Sequence, residues 1–97
     1  MTVEKNRVGE ALTVRIEGRI DTVTAPILEE ELRDLSGVKE LTLDFEDVAY
    51  ISSAGLRVLL AAQKRMNIQG EMRLIHVNED INEVFEITGF ADILTVL

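Results

Sequence analysis

Between Leu41 and Met66 the apolar residues of this chain change their spacing, and that change limits the folds open to it. Leu41, Leu43 and Phe45 alternate with Thr42, Asp44 and Glu46, the two-residue period of a strand with one buried face. Val48-Ala49-Tyr50-Ile51 then forms a short apolar approach to the next element. Leu56, Leu59, Leu60 and Met66, with Val58 and Ala62 beside them, recur at helical spacing from about Ala54 to Asn67. A strand feeding a helix of that length reads as half of a crossover unit, and crossovers favour parallel strands in a mixed sheet.

The flanking segments fit the same plan. Val3 to Arg7 and Ala11 to Glu17 read as a hairpin about Val8-Gly9-Glu10, with Leu12, Val14 and Ile16 on the buried face and Gly18 ending the second strand. Thr24-Ala25-Pro26 predicts a helix start, Thr24 as N-cap and Pro26 in the first turn, where a missing N–H costs nothing. Ile27, Leu28, Glu31, Leu32 and Leu35 continue at helical spacing up to the stop at Ser36-Gly37. After the turn at Gln69-Gly70, Glu71 to Val77 predicts a strand, and Asn78 caps a short helix carrying Ile81, Val84, Phe85 and Ile87 up to Thr88-Gly89. Ala91 to Leu97 forms a last short helix or strand. The expected fold class is α/β, one domain over residues 1–97, with an opening hairpin, then alternating helices and strands, and a mixed sheet covered by helices.

Composition narrows the function. Ninety-seven residues that are 46% hydrophobic, nearly all of that aliphatic, support one core and not two. The absence of cysteine removes disulfides, thiolate nucleophiles and Cys-based zinc sites together. A net charge of −8, with Lys and Arg scattered and no basic run longer than the pair Lys64-Arg65, repels nucleic acid and anionic membranes. The charged N-terminus MTVEKNRVGE lacks the apolar core of a signal peptide, and no apolar run approaches the length of a membrane span. The expectation is a cytoplasmic protein that meets other proteins, without nucleic-acid partners or direct membrane insertion.

The most informative segment is Tyr50-Ile51-Ser52-Ser53-Ala54-Gly55-Leu56, two hydroxyls and a glycine between a strand signal and an apolar helix. Ser53 is expected at or beside the N-cap, and the plainest role for such a serine is to satisfy a first-turn N–H.

Ser52-Ser53-Ala54-Gly55-Leu56 resembles the phosphorylation-loop signature of the STAS family (sulphate transporter and anti-sigma factor antagonist domains), commonly Asp-Ser-x-Gly-Leu. By that resemblance Ser53 is the phosphate acceptor, and Ser52 stands where Asp is usual. Gly18-Arg19-Ile20-Asp21-Thr22-Val23-Thr24-Ala25 is similar to the family's Gly-x-Leu-Asp-x-x-Thr-Ala ahead of the first helix. Gly70-Glu71-Met72, the Asn78 helix start and Phe85-Glu86-Ile87-Thr88-Gly89-Phe90 resemble its later blocks, so the likeness spans essentially the whole chain. The sequence departs from the family at Ser52 and in stopping at Leu97, where many relatives continue into a final helix.

The resemblance implies a non-enzymatic, phosphorylation-controlled anti-sigma factor antagonist. The unmodified protein would bind an anti-sigma factor that is itself a serine kinase, releasing a sigma factor, and phosphorylation of Ser53 would end the complex. Asp21, Thr22, Thr24, Ser52, Ala54, Gly55, Leu56 and Arg57 would form the loop and partner surface, with no cofactor or metal. The alternative is a STAS subunit of a membrane transport system, either the partner of an ABC-type lipid transporter or a regulator like that of a sulphate permease. The start at Met without a flanking span argues against a permease fragment.

Other residues have plainer readings. Asp21 also suits a turn after a strand, and Thr24 a cap. His76, the only histidine, lies in the strand pattern without a motif and is expected to be structural or exposed. Glu29, Glu30 and Glu31 point three ways from one helix and read as a solvated face. Arg57, Gln63 and Lys64 are expected on the exposed side of the long helix.

Overall fold

The computed structural model describes residues 1–97. Its elements, in chain order, are β1 (Thr2–Val8), β2 (Ala11–Ile20), α1 (Ala25–Glu31), β3 (Glu40–Ile51), α2 (Ser53–Gln69), β4 (Glu71–Ile75) and α3 (Glu79–Thr88), followed by a 3-10 turn at Phe90–Asp92. One four-stranded sheet has the spatial order β1-β2-β3-β4. β1 and β2 form the antiparallel hairpin, while β2–β3 and β3–β4 pair in parallel. The expected mixed sheet follows from the two crossovers through α1 and α2.

Strand alternation decides which face the helices cover. Leu12, Val14 and Ile16 of β2, Leu41, Leu43 and Phe45 of β3, and Met72 and Leu74 of β4 are buried, together with Leu28 of α1, Leu59 and Met66 of α2, and Ile81 and Phe85 of α3. The intervening Thr13, Arg15, Glu17 and Glu46 are exposed. The helices therefore cover one face, and the other remains open to water.

Several boundaries differ from the sequence reading, each for a local reason. β2 does not end at Gly18 but runs to Ile20, because Gly18 takes φ +111° and lets the strand continue through an irregular register. β3 is one strand, not a strand plus an approach. Its twelve residues face ten of β2, with register shifts opposite Arg15/Glu17 and Gly18/Arg19. These bulges change the buried spacing from every second residue to every third at Phe45, Val48 and Ile51.

α1 stops at Glu31, a turn before the expected limit, although Leu32 and Leu35 remain buried. Beyond it, the side chains of α2 take up backbone carbonyls: Arg65 donates to Leu32 O at 2.9 Å, and Gln69 donates to Leu35 O and Val38 O at 2.6 and 2.8 Å. Ile27, expected on the apolar stripe of this helix, is 48% exposed. β4 ends at Ile75 because His76 adopts φ +59° and leaves the ladder. Asn78 caps α3 as its sequence predicts, its side chain accepting from Ile81 N–H at 2.9 Å. The terminal segment combines the 3-10 turn with a parallel bridge from Val96 to Leu74.

Candidate functional site

The C-terminal ends of β2 and β3 are neighbours in the sheet. Ile20 pairs with Ile51, and Ser52 N–H donates to Ile20 O at 2.8 Å. The two segments singled out by their motifs, Asp21–Thr24 and Ser52–Leu56, are thus brought side by side by register alone.

At the start of α2 the two serines divide the work. Ser52 is the N-cap: its backbone is extended, its Oγ accepts from Gly55 N–H at 3.3 Å, and its C=O accepts from Leu56 N–H at 3.0 Å. Ser53 is the first helical residue, exposed, with no hydrogen bond from its hydroxyl. The capping role thus falls to Ser52, at the position where the signature has Asp. Gly55 is buried, and a β-carbon there would lie 2.7 Å from both Ile20 Cγ2 and Ile51 Cγ1. It lets the first turn of α2 rest on the paired ends of β2 and β3, and Leu56, also buried, anchors that turn in the core. Ala54 is half-buried and Arg57 exposed.

The neighbouring loop is held by Asp21 and Thr24. Asp21 Oδ1 accepts from Val23 N–H and Thr24 N–H, both at 3.0 Å, and lies 3.2 Å from Thr24 Oγ1. Thr24 Oγ1 accepts from Asp21 N–H at 2.8 Å and donates to Arg19 O at 2.6 Å. Hydrogen bonds from the Thr24 and Val23 backbone outweigh partial desolvation and hold the Asp21 carboxyl below the usual carboxylate range. Thr24 keeps the N-cap position of α1 but makes no side-chain cap bond, because its hydroxyl is committed to the loop. Asp21 and Thr24 therefore fix the loop, while Thr22 is exposed on it.

Exposed apolar side chains adjoin this rim. Val23 is 80% exposed, and Tyr50 is 41% exposed beneath the Arg19 guanidinium, which lies 4.3 Å from the ring centroid. Sequence reasoning passed over Val23, although an aliphatic residue in a loop of threonines was the available signal. A shallow groove between α1 and α2, lined by Thr22, Pro26, Glu29, Ala54 and Arg57 among others, opens beside Ser53.

Other candidates lie apart from this rim. Gln63 is not on the exposed side of α2: it is 6% exposed, on the buried stripe one turn beyond Leu59. Glu29 and Glu30 are exposed, and Glu31 pairs with Lys5 at 3.0 Å. His76 is exposed and bonds through Nδ1 to Asp44 Oδ1 at 2.9 Å. Asp44, Glu46 and His76 could offer a cation three ligand atoms within 4.8 Å of one another. The same Asp44 oxygen already accepts from Glu46 N–H, so a cation there would compete with a formed hydrogen-bond network.

Comparisons with known proteins place the chain and its fold. The sequence profile of the STAS domain matches residues 2–97. BtrV of Bordetella bronchiseptica, a candidate anti-sigma factor antagonist, is 35% identical over 99% of this chain and 85% of its own length. The anti-sigma-B factor antagonist of Staphylococcus aureus is 29% identical over 99% of this chain and 92% of its own. Among solved structures, SpoIIAA of Bacillus has the same fold in both its forms. The unphosphorylated form matches with TM-score 0.77 at 16% identity, covering 99% of this chain and 87% of its own. The phosphorylated form gives 0.76 at 15%, covering 99% and 91%.

Proposed function

The chain belongs to the STAS domain family, in its anti-sigma factor antagonist branch, and on that premise we propose that it is a binding switch controlled by phosphorylation of Ser53. Unmodified, it docks on an anti-sigma factor that is also a serine kinase, so that the sigma factor is released. Phosphorylation by that kinase ends the complex. The protein is a substrate and a ligand in this cycle, not an enzyme, and acts in the cytoplasm with its partner.

One observation carries the reading: the Ser53 hydroxyl is exposed and uncommitted at the first residue of α2, while Ser52 beside it does the capping. A kinase can therefore reach Ser53 without dismantling the helix start. A phosphate there adds about −1.5 to −2 charges and a tightly held hydration shell. Burying it against a partner costs more than the unmodified hydroxyl unless cations wait on the other side.

The scaffold is expected to survive the modification. The positive end of α2 and its free first-turn N–H groups favour a negative charge at that position. The equal likeness of this fold to the two forms of SpoIIAA supports a switch in which surface chemistry changes and the backbone does not. The exposed Val23, in the loop after β2, and Tyr50, near the end of β3, suit an interface with an apolar centre, which a dianion at its edge would disrupt.

The test is incubation with the anti-sigma kinase and ATP, followed by mass spectrometry. The expected result is one added phosphoryl group on the peptide containing Ser53, absent in Ser53→Ala. No incorporation, or incorporation at another residue, overturns the proposal.

A further inference from the structure

Six of the seven arginines are engaged within the fold. Arg7 donates to the carbonyls of Gly9 and Ser36, Arg65 donates to that of Leu32, and Arg19 lies over Tyr50. Arg15, Arg33 and Arg73 pair with Asp47, Glu30 and Glu40. Arg57 alone has no ion pair, no hydrogen bond and no aromatic ring beneath it, although Glu29 lines the same groove. Arg57 also follows Ser53 by four residues on α2, so the two side chains share one helix face with β-carbons about 5–6 Å apart.

Building on the reading of Ser53 as the acceptor, we infer that Arg57 is the positioning residue for the phosphate, folding the modified side chain back onto α2. An anion preceding a cation by four residues is the favoured order for such a helix pair. The planar guanidinium can offer two parallel N–H donors to phosphate oxygens, and phosphate oxygens accept such pairs more strongly than neutral acceptors do. Forming this contact breaks none, because Arg57 has no partner to give up.

The consequence is a switch with two parts. In the unmodified protein Arg57 projects from the rim as a free cation, available to a carboxylate of the partner. After modification it is occupied by the protein's own phosphate. One chemical event then adds negative charge to the docking surface and withdraws a positive one from it. Lys64, a further exposed cation of α2, lies about three turns beyond Ser53, out of reach of the phosphate.

The experiment installs phosphoserine at position 53 during synthesis, so that no kinase is needed, and follows its 31P resonance as a function of pH. The charged groups on the surrounding elements are Arg57 on α2, Glu29 on α1, Asp21 in the loop after β2, and Arg19 at the end of β2. With Arg57 in place, the second ionisation of the phosphate, ordinarily near pH 6, is expected about half a unit to one unit lower than in Arg57→Gln. That is about a 3- to 10-fold stronger acid. Arg57→Lys should recover part of the shift, and added salt should reduce it. Coincident titrations in the parent and Arg57→Gln proteins overturn the inference while leaving the kinase reading intact. A failure of the kinase to modify Ser53 overturns that reading, whatever the 31P titration gives.

Discussion

Gly55 lies so close to Ile51 that a β-carbon on it would stand 2.7 Å from Ile51 Cγ1, inside any normal contact distance. The glycine of the Ser-x-Gly-Leu segment is thus a packing requirement: it sets how near the start of α2 comes to the ends of β2 and β3. Gly55→Ala should overpack that contact and cost about 1–3 kcal/mol. In a domain of this size each kcal/mol lowers the melting temperature by about 4–8 °C. Thermal unfolding of Gly55→Ala at the parent's melting temperature would contradict the packing argument.

Ser52 and Ser53 should separate cleanly on substitution. Ser52→Ala removes the N-cap oxygen and is expected to cost about 0.5–1 kcal/mol, at the low end for a cap because its bond to Gly55 N–H is long. Ser53→Ala should leave stability within about 0.5 kcal/mol of the parent, since no hydrogen bond is lost. Denaturant melts of the two variants give the comparison, and a larger loss in Ser53→Ala would reverse the assignment of cap and acceptor.

Ser53→Asp places a permanent, though single, negative charge at the proposed acceptor. Binding to the anti-sigma partner should weaken about tenfold or more, while the melting temperature holds or rises slightly, since an anion in the first turn of α2 is favoured. Undiminished affinity by calorimetry would remove the basis for control at this residue.

The architecture was legible where one period governed a segment. The β2 stripe of Leu12, Val14 and Ile16 and the Asn78 cap stand where the sequence put them, because local rules and tertiary packing agree there. In the sequence β3 looks like two pieces because its bulges break the alternation at Phe45, Val48 and Ile51, and a bulge is a property of strand pairing that neither strand declares alone. The two halves of the candidate site were each visible as motifs. What joins them, the pairing of Ile20 with Ile51, is a long-range register. The hydroxyl of Thr24 shows the limit at finer scale: sequence correctly gave it the cap position, but its bonds go to Arg19 and Asp21.

His76 supplies a pH dependence remote from the site. Its hydrogen bond to Asp44 raises the imidazole pKa above the ordinary value, while Asp44, despite partial burial, is held low by His76 and by the Glu46 amide. For a group raised on folding, the stabilisation is full below the unfolded value near 6.5 and is lost as pH climbs through the folded value. For Asp44 the contribution is present above its unfolded value and lost as pH falls through the folded one. As the only histidine, His76 can be titrated by NMR without ambiguity. Its midpoint should lie above 6.5 and return toward it in Asp44→Asn, and a midpoint unmoved by that change would dissolve the pair.

Gln63 tests whether position outranks chemistry on α2. It lies four residues beyond Leu59, which the helical period alone assigns to the buried stripe, yet its amide suggested an outward residue. In the fold its Nε2 donates to Asn67 Oδ1 at 2.8 Å, and its Oε1 is buried without a partner. An unpaired buried carbonyl costs about 1–3 kcal/mol, whereas Asn67 is exposed and can take water in place of its donor. Gln63→Met keeps the length of the side chain and removes the unpaired oxygen. The melting temperature should therefore hold or rise by several degrees, and a fall of more than about 4 °C would mean that this amide stabilises the fold through a partner it finds in solution.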